Sequence, residues 1–265
     1  MGSENKFPKI SELRVVCEKR DDKTIMSEKF FTPPFKVMLP IYERTDDVMQ
    51  VLLLMSAPGI MEGDIQKFDF TIKEGAKAEY CTQSYEKVHR MIDGQGTREV
   101  FINVEKDGFF YYHPLPIMPY KDSAVENDTV ITLQDDSAKL VYEEILCSGR
   151  VACGESFDYR YFNNIVSVRK AGKLIYRDNT QYRPDEFDME GIGMFEGYTH
   201  LANQVHFNMN RSDDWIAEVE KMIKDAPDMD GGCTRLSTGD VVVRFFGKSA
   251  DPMEKLLKAI EALNI

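Results

Sequence analysis

Val48-Met49-Gln50-Val51-Leu52-Leu53-Leu54-Met55 is an almost continuous apolar run of strand length. A run of that kind, closed by a turn signal, predicts a strand buried on both faces. The turn signal follows in Ser56-Ala57-Pro58-Gly59, and Gly63 adds a second flexible point before Asp64. The pattern places one carboxylate, Asp64, at the tip of a loop held by a core strand. Its simplest role is to hydrogen-bond its own turn, and its alternative is to serve a polar site. Upstream, residues 9–31 alternate loosely around Asp21-Asp22-Lys23, a hairpin signal. In Phe30-Phe31-Thr32-Pro33-Pro34-Phe35-Lys36 the two prolines exclude helix, and the three Phe predict an extended segment anchored on a core.

The polar and apolar positions then repeat. Thr71–Tyr80, Asn103–Tyr112, Thr132–Tyr142 and Ser167–Tyr176 each read strand, turn, strand. Their turn residues Gly75, Gly108, Ser137 and Gly172 fall about 30 residues apart. Each unit has one apolar face to bury on its neighbour, which predicts stacked β layers. Spacing alone does not separate a plain β-sandwich from a helical stack of strands.

Helical periodicity enters only near the end of the chain. Ser212 is placed to cap a helix beginning Asp213-Asp214-Trp215, with Val219 and Ile223 on its apolar face and Ala226-Pro227 as its stop. Residues 231–246 read as a hairpin around Thr238-Gly239-Asp240. Asp251-Pro252 opens a last helix whose Met253, Leu256, Leu257, Ile260 and Leu263 form one stripe, a core face more than an interface. The expected organisation is one domain over residues 1–265. A stacked β body occupies 10–210 and a helix–hairpin–helix subregion 211–265.

A net charge of -12 argues against a nucleic-acid surface, which needs clustered Lys and Arg. No stretch approaches the roughly 18 apolar residues of a membrane span, and residues 1–6 lack both a signal-peptide core and the myristoylation pattern. Without a signal-peptide core, the Asn127-Asp128-Thr129 sequon is read as a chance match, and the five Cys, odd in number and without a CxxC, read as reduced cytoplasmic thiols. The four His form no HxH or HExxH pair, which speaks against a preformed zinc site. Gly247-Lys248-Ser249 resembles the end of a P-loop, but Val242 stands where its first Gly belongs. Ser84 near His89 is better read as a structural Ser and a surface His than as nucleophile and base. Nothing here demands an enzyme.

Polar residues do recur beside strand ends and turns. They are Asp64, Thr82-Gln83-Ser84 with Lys87 and His89, Glu143-Glu144, Gly149-Arg150 with Glu155, and Arg177-Asp178. Singly, each reads as a salt bridge or turn contact, and Arg150 with Glu155 is expected to brace the turn around Gly154. Together they could line a hydrophilic interior path that holds a cation weakly enough to release it.

These residues carry a resemblance. Pro58–Asp64, Thr82–Lys87, Glu144–Glu155 and Arg177-Asp178 occur in the order and spacing of the urease accessory proteins called UreD, or UreH in some bacteria. Phe30–Lys36 and Met194–His200 resemble the UreH branch. The resemblance runs from about residue 10 to 210. It implies a helical-like stack of β-strands with two helices near the C-terminus. It also implies a non-enzymatic, cytoplasmic scaffold that binds UreF, recruits the GTPase UreG and docks on the urease apoprotein for nickel insertion. No resident cofactor is implied, only nickel in transit, and neither nucleic acid nor membrane is a partner. Asp64, Ser84, Glu144 and Asp178 resemble the family's polar positions for that transit, and Gly63, Gly149, Arg150 and Glu155 its structural motif. Two departures stand out. Glu62-Gly63-Asp64 replaces Gly-Gly-Asp, and Arg177-Asp178 replaces Arg-Glu, one methylene shorter. The competing readings are a carbohydrate-binding β module using exposed Tyr and Phe, and a small-molecule enzyme using Asp64, Glu144 and His89.

Overall fold

The computed structural model describes residues 9–42 and 47–263. The expectations for residues 1–6 lie outside the described residues. The chain begins with β1 (Lys9–Arg20), β2 (Lys23–Phe31), β3 (Phe35–Val37) and β4 (Met49–Met55). It continues through β5 (Asp64–Ile72), β6 (Lys77–Thr82), β7 (Glu86–Val88), β8 (Gly96–Val104), β9 (Phe109–Tyr112) and β10 (Ile117–Pro119). Next come β11 (Ala124–Leu133), β12 (Lys139–Cys147), β13 (Tyr161–Lys170), β14 (Lys173–Tyr182) and β15 (His200–Phe207). Last are α1 (Asp213–Asp225), β16 (Met229–Arg235), β17 (Val241–Gly247) and α2 (Ala250–Glu261).

The strands form two sheets. One has seven strands in the order β14-β13-β11-β8-β5-β1-β2. The other has ten, in the order β16-β17-β15-β12-β9-β6-β4-β3, with β10 and β7 branching from β12. From β4 to β13 the chain alternates between the sheets, so each long strand lies parallel to the strand one circuit earlier. Parallel neighbours need a crossover, and here the crossover is itself a strand of the facing sheet. The result is the helical-like stack of strands. Its period is visible inside: Tyr80, Tyr112 and Tyr142 stand in register, with ring centroids 5.2 and 5.3 Å apart. That is close to the strand spacing of about 4.8 Å, so the rings stack as the strands pair.

The repeat read from the turns is thus a repeat of corners. Those at Gly75, Gly108 and Ser137 carry the chain from one sheet to the other. The fourth differs: Gly172 closes an antiparallel hairpin, β13–β14, within one sheet. Ala171 and Gly172 both have positive φ, 47° and 80°, as a two-residue hairpin turn requires. The hairpin at Asp21-Asp22 forms as expected.

Two other expectations need adjustment. In β4, Met49, Val51 and Leu53 are buried, but Gln50, Leu52 and Leu54 on the other face are only half-buried. The apolar run therefore overstates how evenly the strand is covered. Of the three Phe at 30–35, Phe35 is buried and Phe31 packs on the core, whereas Phe30 points out of the edge strand.

The C-terminal elements follow the sequence closely. Ser212 Oγ accepts from Trp215 N at 3.0 Å, capping α1. The β16–β17 hairpin extends the ten-stranded sheet by pairing with β15. Trp215, Val219 and Ile223 of α1, and Met253, Leu257 and Ile260 of α2, bury that sheet's outer face against Ile145, Ala202, Val243 and Phe245. The last apolar stripe is core. No helix among the described residues is long and apolar enough to cross a membrane.

Candidate functional site: a polar layer between the sheets

The inner face of the seven-stranded sheet is apolar along most of its length, but one cross-strand row is polar. Ser11, Gln66, Arg98, Asn127, Asn164 and Thr180 stand side by side on β1, β5, β8, β11, β13 and β14. Across from them the other sheet supplies Glu86 on β7 and a second register row, Glu144, Asn203 and Arg244, on β12, β15 and β17. The rows touch. Arg98 Nη2 lies 2.7 Å from Glu86 Oε2, with both side chains almost fully buried. Arg98 Nε and Nη2 also donate to Gln66 Oε1 at 3.0 and 2.8 Å. Asn164 Nδ2 donates to Glu144 Oε2 at 3.0 Å. Arg244 Nη2 donates to Asp178 Oδ2.

This layer is incompletely saturated. Glu86 Oε1, Asn127 Oδ1 and Asn164 Oδ1 are buried and accept no hydrogen bond from the protein. Buried polar atoms are ordinarily paired, so three orphan acceptors in one layer mark a place for water or a cation. The electrostatics agree. Burial is the main cause that lifts the Glu144 carboxyl from 4.5 to about 7, and the Asp178 charge adds to it against hydrogen bonds from Tyr142 and Asn164. Burial works against the Arg98 charge, but Glu86 and the neighbouring tyrosines outweigh it and hold the guanidinium ionised.

At one end the layer opens into a cleft of about 410 Å³, solvent at its mouth included, lined by Glu144, Asn164, Asp178, Asn203 and Arg244 among others. The structure therefore unites two of the residues singled out in the sequence, Glu144 and Asp178, although they come from different sheets. Asp64 sits apart, at the start of β5. Its Oδ2 accepts from Met61 N at 2.8 Å, closing its own turn, though its charge still reaches Glu86. Ser84 is exposed and lines a different cleft, between the loops after β4 and β6, with Thr82 and Lys87. There Ile60 N donates to Lys87 O at 2.7 Å, and Gly59 is required: a Cβ on it would stand 2.1 Å from that carbonyl oxygen.

The expected structural motif is local. Gly63 (φ 79°) turns the chain into β5. Gly149 (φ 149°) lets the chain pass Glu155 O, which a Cβ would approach to 2.8 Å. Arg150 and Glu155 form a two-point pair around the turn, with Arg150 stacked 4.2 Å over Tyr120. The Arg150 side chain is 39% exposed, so the pair braces a surface loop and not the interior.

Sequence reading missed Gln66, Arg98, Asn127, Asn164, Asn203 and Arg244. The only signal was a polar residue inside an otherwise apolar strand pattern, such as Gln66 before Phe68 and Phe70. It missed as well that Glu143 and Glu144 face opposite ways, Glu143 lying buried beneath α2. Five of the twelve tyrosines, Tyr80, Tyr111, Tyr112, Tyr142 and Tyr159, are buried and so take no part in an aromatic platform of the kind a carbohydrate-binding face would use. Among the described residues no three His, Cys, Asp or Glu side chains converge to hold a metal. What the layer offers is three carboxylates, Glu86, Glu144 and Asp178, and amide oxygens, a donor set suited to loose oxygen contacts.

The chain is similar to known proteins over nearly its whole length. The family profile described as UreD urease accessory protein matches residues 9–264. The urease accessory protein UreD of Acetivibrio thermocellus is 34% identical over 97% of this chain and 97% of its own. The urease accessory protein UreH of Helicobacter pylori strain HPAG1 is 33% identical over 98% of this chain and 96% of its own. That of Actinobacillus pleuropneumoniae, a UreD, is 26% identical over 90% of each. These names describe an accessory role and not a catalytic one. By the extent of these matches, the chain belongs to the UreD urease accessory protein family.

Proposed function

We propose that the protein is a maturation scaffold for urease that passes nickel through the layer between its sheets. It binds UreF, brings the GTPase UreG to the urease apoprotein through that contact, and provides an oxygen-lined route for the ion. The observation that carries the nickel part is the row of inward polar residues with its orphan acceptors Glu86 Oε1, Asn127 Oδ1 and Asn164 Oδ1. A dication in such a layer exchanges water for carboxylate and amide oxygens one contact at a time, which favours passage over storage.

The partner contacts find support in how exposed apolar residues are distributed. Met61, Ile92, Val151, Phe187 and Ile192 are exposed on the loops at the end of the stack where β5, β8, β11 and β13 begin. Ile92 is held rigidly: Glu62 accepts from Ile92 N, Asp93 N and Gly94 N, while Arg160 donates to the carbonyls of the same three residues. A fixed apolar tip is what a partner pocket needs.

The test is reconstitution with UreF, UreG, GTP, bicarbonate, nickel and urease apoprotein. Complex formation is followed by gel filtration and activation by ammonia release. UreF should co-elute, and urease should gain activity only when this chain is present. Absence of co-elution, or activation without the chain, would overturn the reading.

A further inference from the structure

The two sheets differ in what covers them. α1 and α2 bury the outer face of the ten-stranded sheet. The outer face of the seven-stranded sheet instead carries exposed side chains, among them Phe30 at 48% and Phe101 at 46% exposure. These two rings belong to one cross-strand row, in the order Phe30 on β2, Arg14 on β1, Asp69 on β5 and Phe101 on β8. At a strand spacing of about 4.8 Å the Phe positions stand roughly 14 Å apart, with the two charges evenly between them. A shallow trough of about 430 Å³, solvent at its mouth included, lies between the rings over Arg14, Asp69, Glu12 and Lys67. Arg14 Nε and Asp69 Oδ2 are 3.9 Å apart and their side chains 60% and 50% exposed, so their pairing within one copy is loose.

The face is complementary to itself. A two-fold axis parallel to the strands, midway between β1 and β5, sets each row against its own order reversed. Arg14 then lies over Asp69 of a second copy, and Asp69 over its Arg14. Phe30 lies over Phe101 of the second copy, a pairing that suits aromatic rings. The next outward row sets Glu12 over Lys67, and the one beyond it Ile10 over Ile65. Every charged row crossing the axis carries opposite signs, so no like charges meet there. Strand number and length make the face roughly 30 by 30 Å. That is on the order of the 800 Å² per partner of a stable interface. Sheet twist limits the contact to part of it, which suits a reversible association.

We propose that the outer face of the seven-stranded sheet is a self-association surface, on which a second copy of this chain docks about an axis between β1 and β5. The proposal does not depend on the function given above. Because the axis runs along the strands, both copies present the loops bearing Met61 and Ile92 at the same end. A dimer of this kind offers its loop-end contacts in pairs to a single partner assembly.

The test is sedimentation equilibrium of the full-length protein across a micromolar concentration series. Two chains of net charge -12 repel at long range, so the series is run near physiological ionic strength, where that repulsion is screened. The mass of wild type should rise from 30.5 kDa toward twice that value. Arg14→Asp should weaken association about tenfold, because it sets acid against acid in both halves of the interface. Asp69→Arg should do the same, and the two substitutions combined should restore it. Phe101→Ser should also weaken association. Should the variants at 14 and 69 not fold, Glu12→Lys, Lys67→Glu and their combination read the same complementarity. A wild type that stays monomeric throughout would overturn the proposal. So would single reversals that leave association unchanged, or a folded double reversal that fails to restore it. Monomeric protein in which these variants weaken UreF or urease binding would give the face to that partner and overturn the dimer.

Discussion

Glu143 and Glu144 are neighbours on β12, both in the protein interior, and they live in opposite environments. Glu143 faces outward beneath α2. Tyr111 OH and Gln204 Nε2 each donate to it at 2.7 Å, and Gln204 in turn accepts from His206 at 2.9 Å. Burial and the Arg211 charge keep His206 neutral, so its other ring nitrogen is free to accept from Arg211 at 3.4 Å. Every link of that chain has a partner. Glu144 faces inward, where its neighbours keep orphan oxygens and the layer opens to a cleft. A saturated buried network specifies one packing, whereas an unsaturated one leaves room for a guest. The contrast separates residues that hold this fold from residues available to its function.

The sharpest way to break the contrast is Glu143→Ala. It leaves a buried tyrosine hydroxyl and a buried amide without their acceptor, at a cost of about 2–5 kcal/mol. Urea or thermal unfolding should show that loss, and nickel delivery should fall only as far as folded protein falls. A variant as stable as wild type would show that the outer network is not structural.

Asn127→Leu should behave in the opposite way. It deletes an orphan acceptor and replaces it with an apolar group of similar size, so stability should stay level or rise by about 1 kcal/mol. Urease activation in the reconstituted system should nonetheless fall about tenfold, with the complex intact on gel filtration. Full activation would mean that nickel does not use this layer.

A pH series sharpens the inward side. The folded Glu144 carboxyl titrates near 7 against an ordinary value of 4.5. The folded protein therefore holds a proton that the unfolded chain releases. This residue's contribution to stability is fully present below about pH 4.5 and is lost as pH rises to about 7. The melting temperature of Glu144→Gln, relative to wild type, should accordingly rise across that window. A flat difference would place Glu144 in a wetter and less perturbed setting than the cleft provides.

The smallest effect is expected at Arg150. A buried ion pair stripped of one partner is costly, but this pair sits on a surface loop. Arg150→Ala should leave soluble yield and melting temperature close to wild type, and bind UreF normally. Loss of folded protein would put the 149–155 turn among the elements that hold the fold together.

Much of this was legible in the chain. Side-chain alternation, the turn residues near 75, 108, 137 and 172, the Ser212 cap and the stripe from Met253 to Leu263 are local signals. They depend on residues a few positions apart, and each produced the element it predicted. The motifs around Asp64, Glu144 and Asp178 carried the family as well. Strand register was not legible. Gln66, Arg98, Asn127 and Asn164 are separated by 29–37 residues, and only the pairing of one circuit on the next sets them in a row. Shifting one strand by a single residue would turn its polar member to the outer face. Nor did the sequence distinguish Glu143 from Glu144, because a period of two assigns neighbours to opposite faces without saying which face is inside. That choice belongs to the tertiary structure: α2 covers one face of β12 and the second sheet the other. Arg244 meets Asp178 across 66 residues of chain only because the two sheets close over the layer between them.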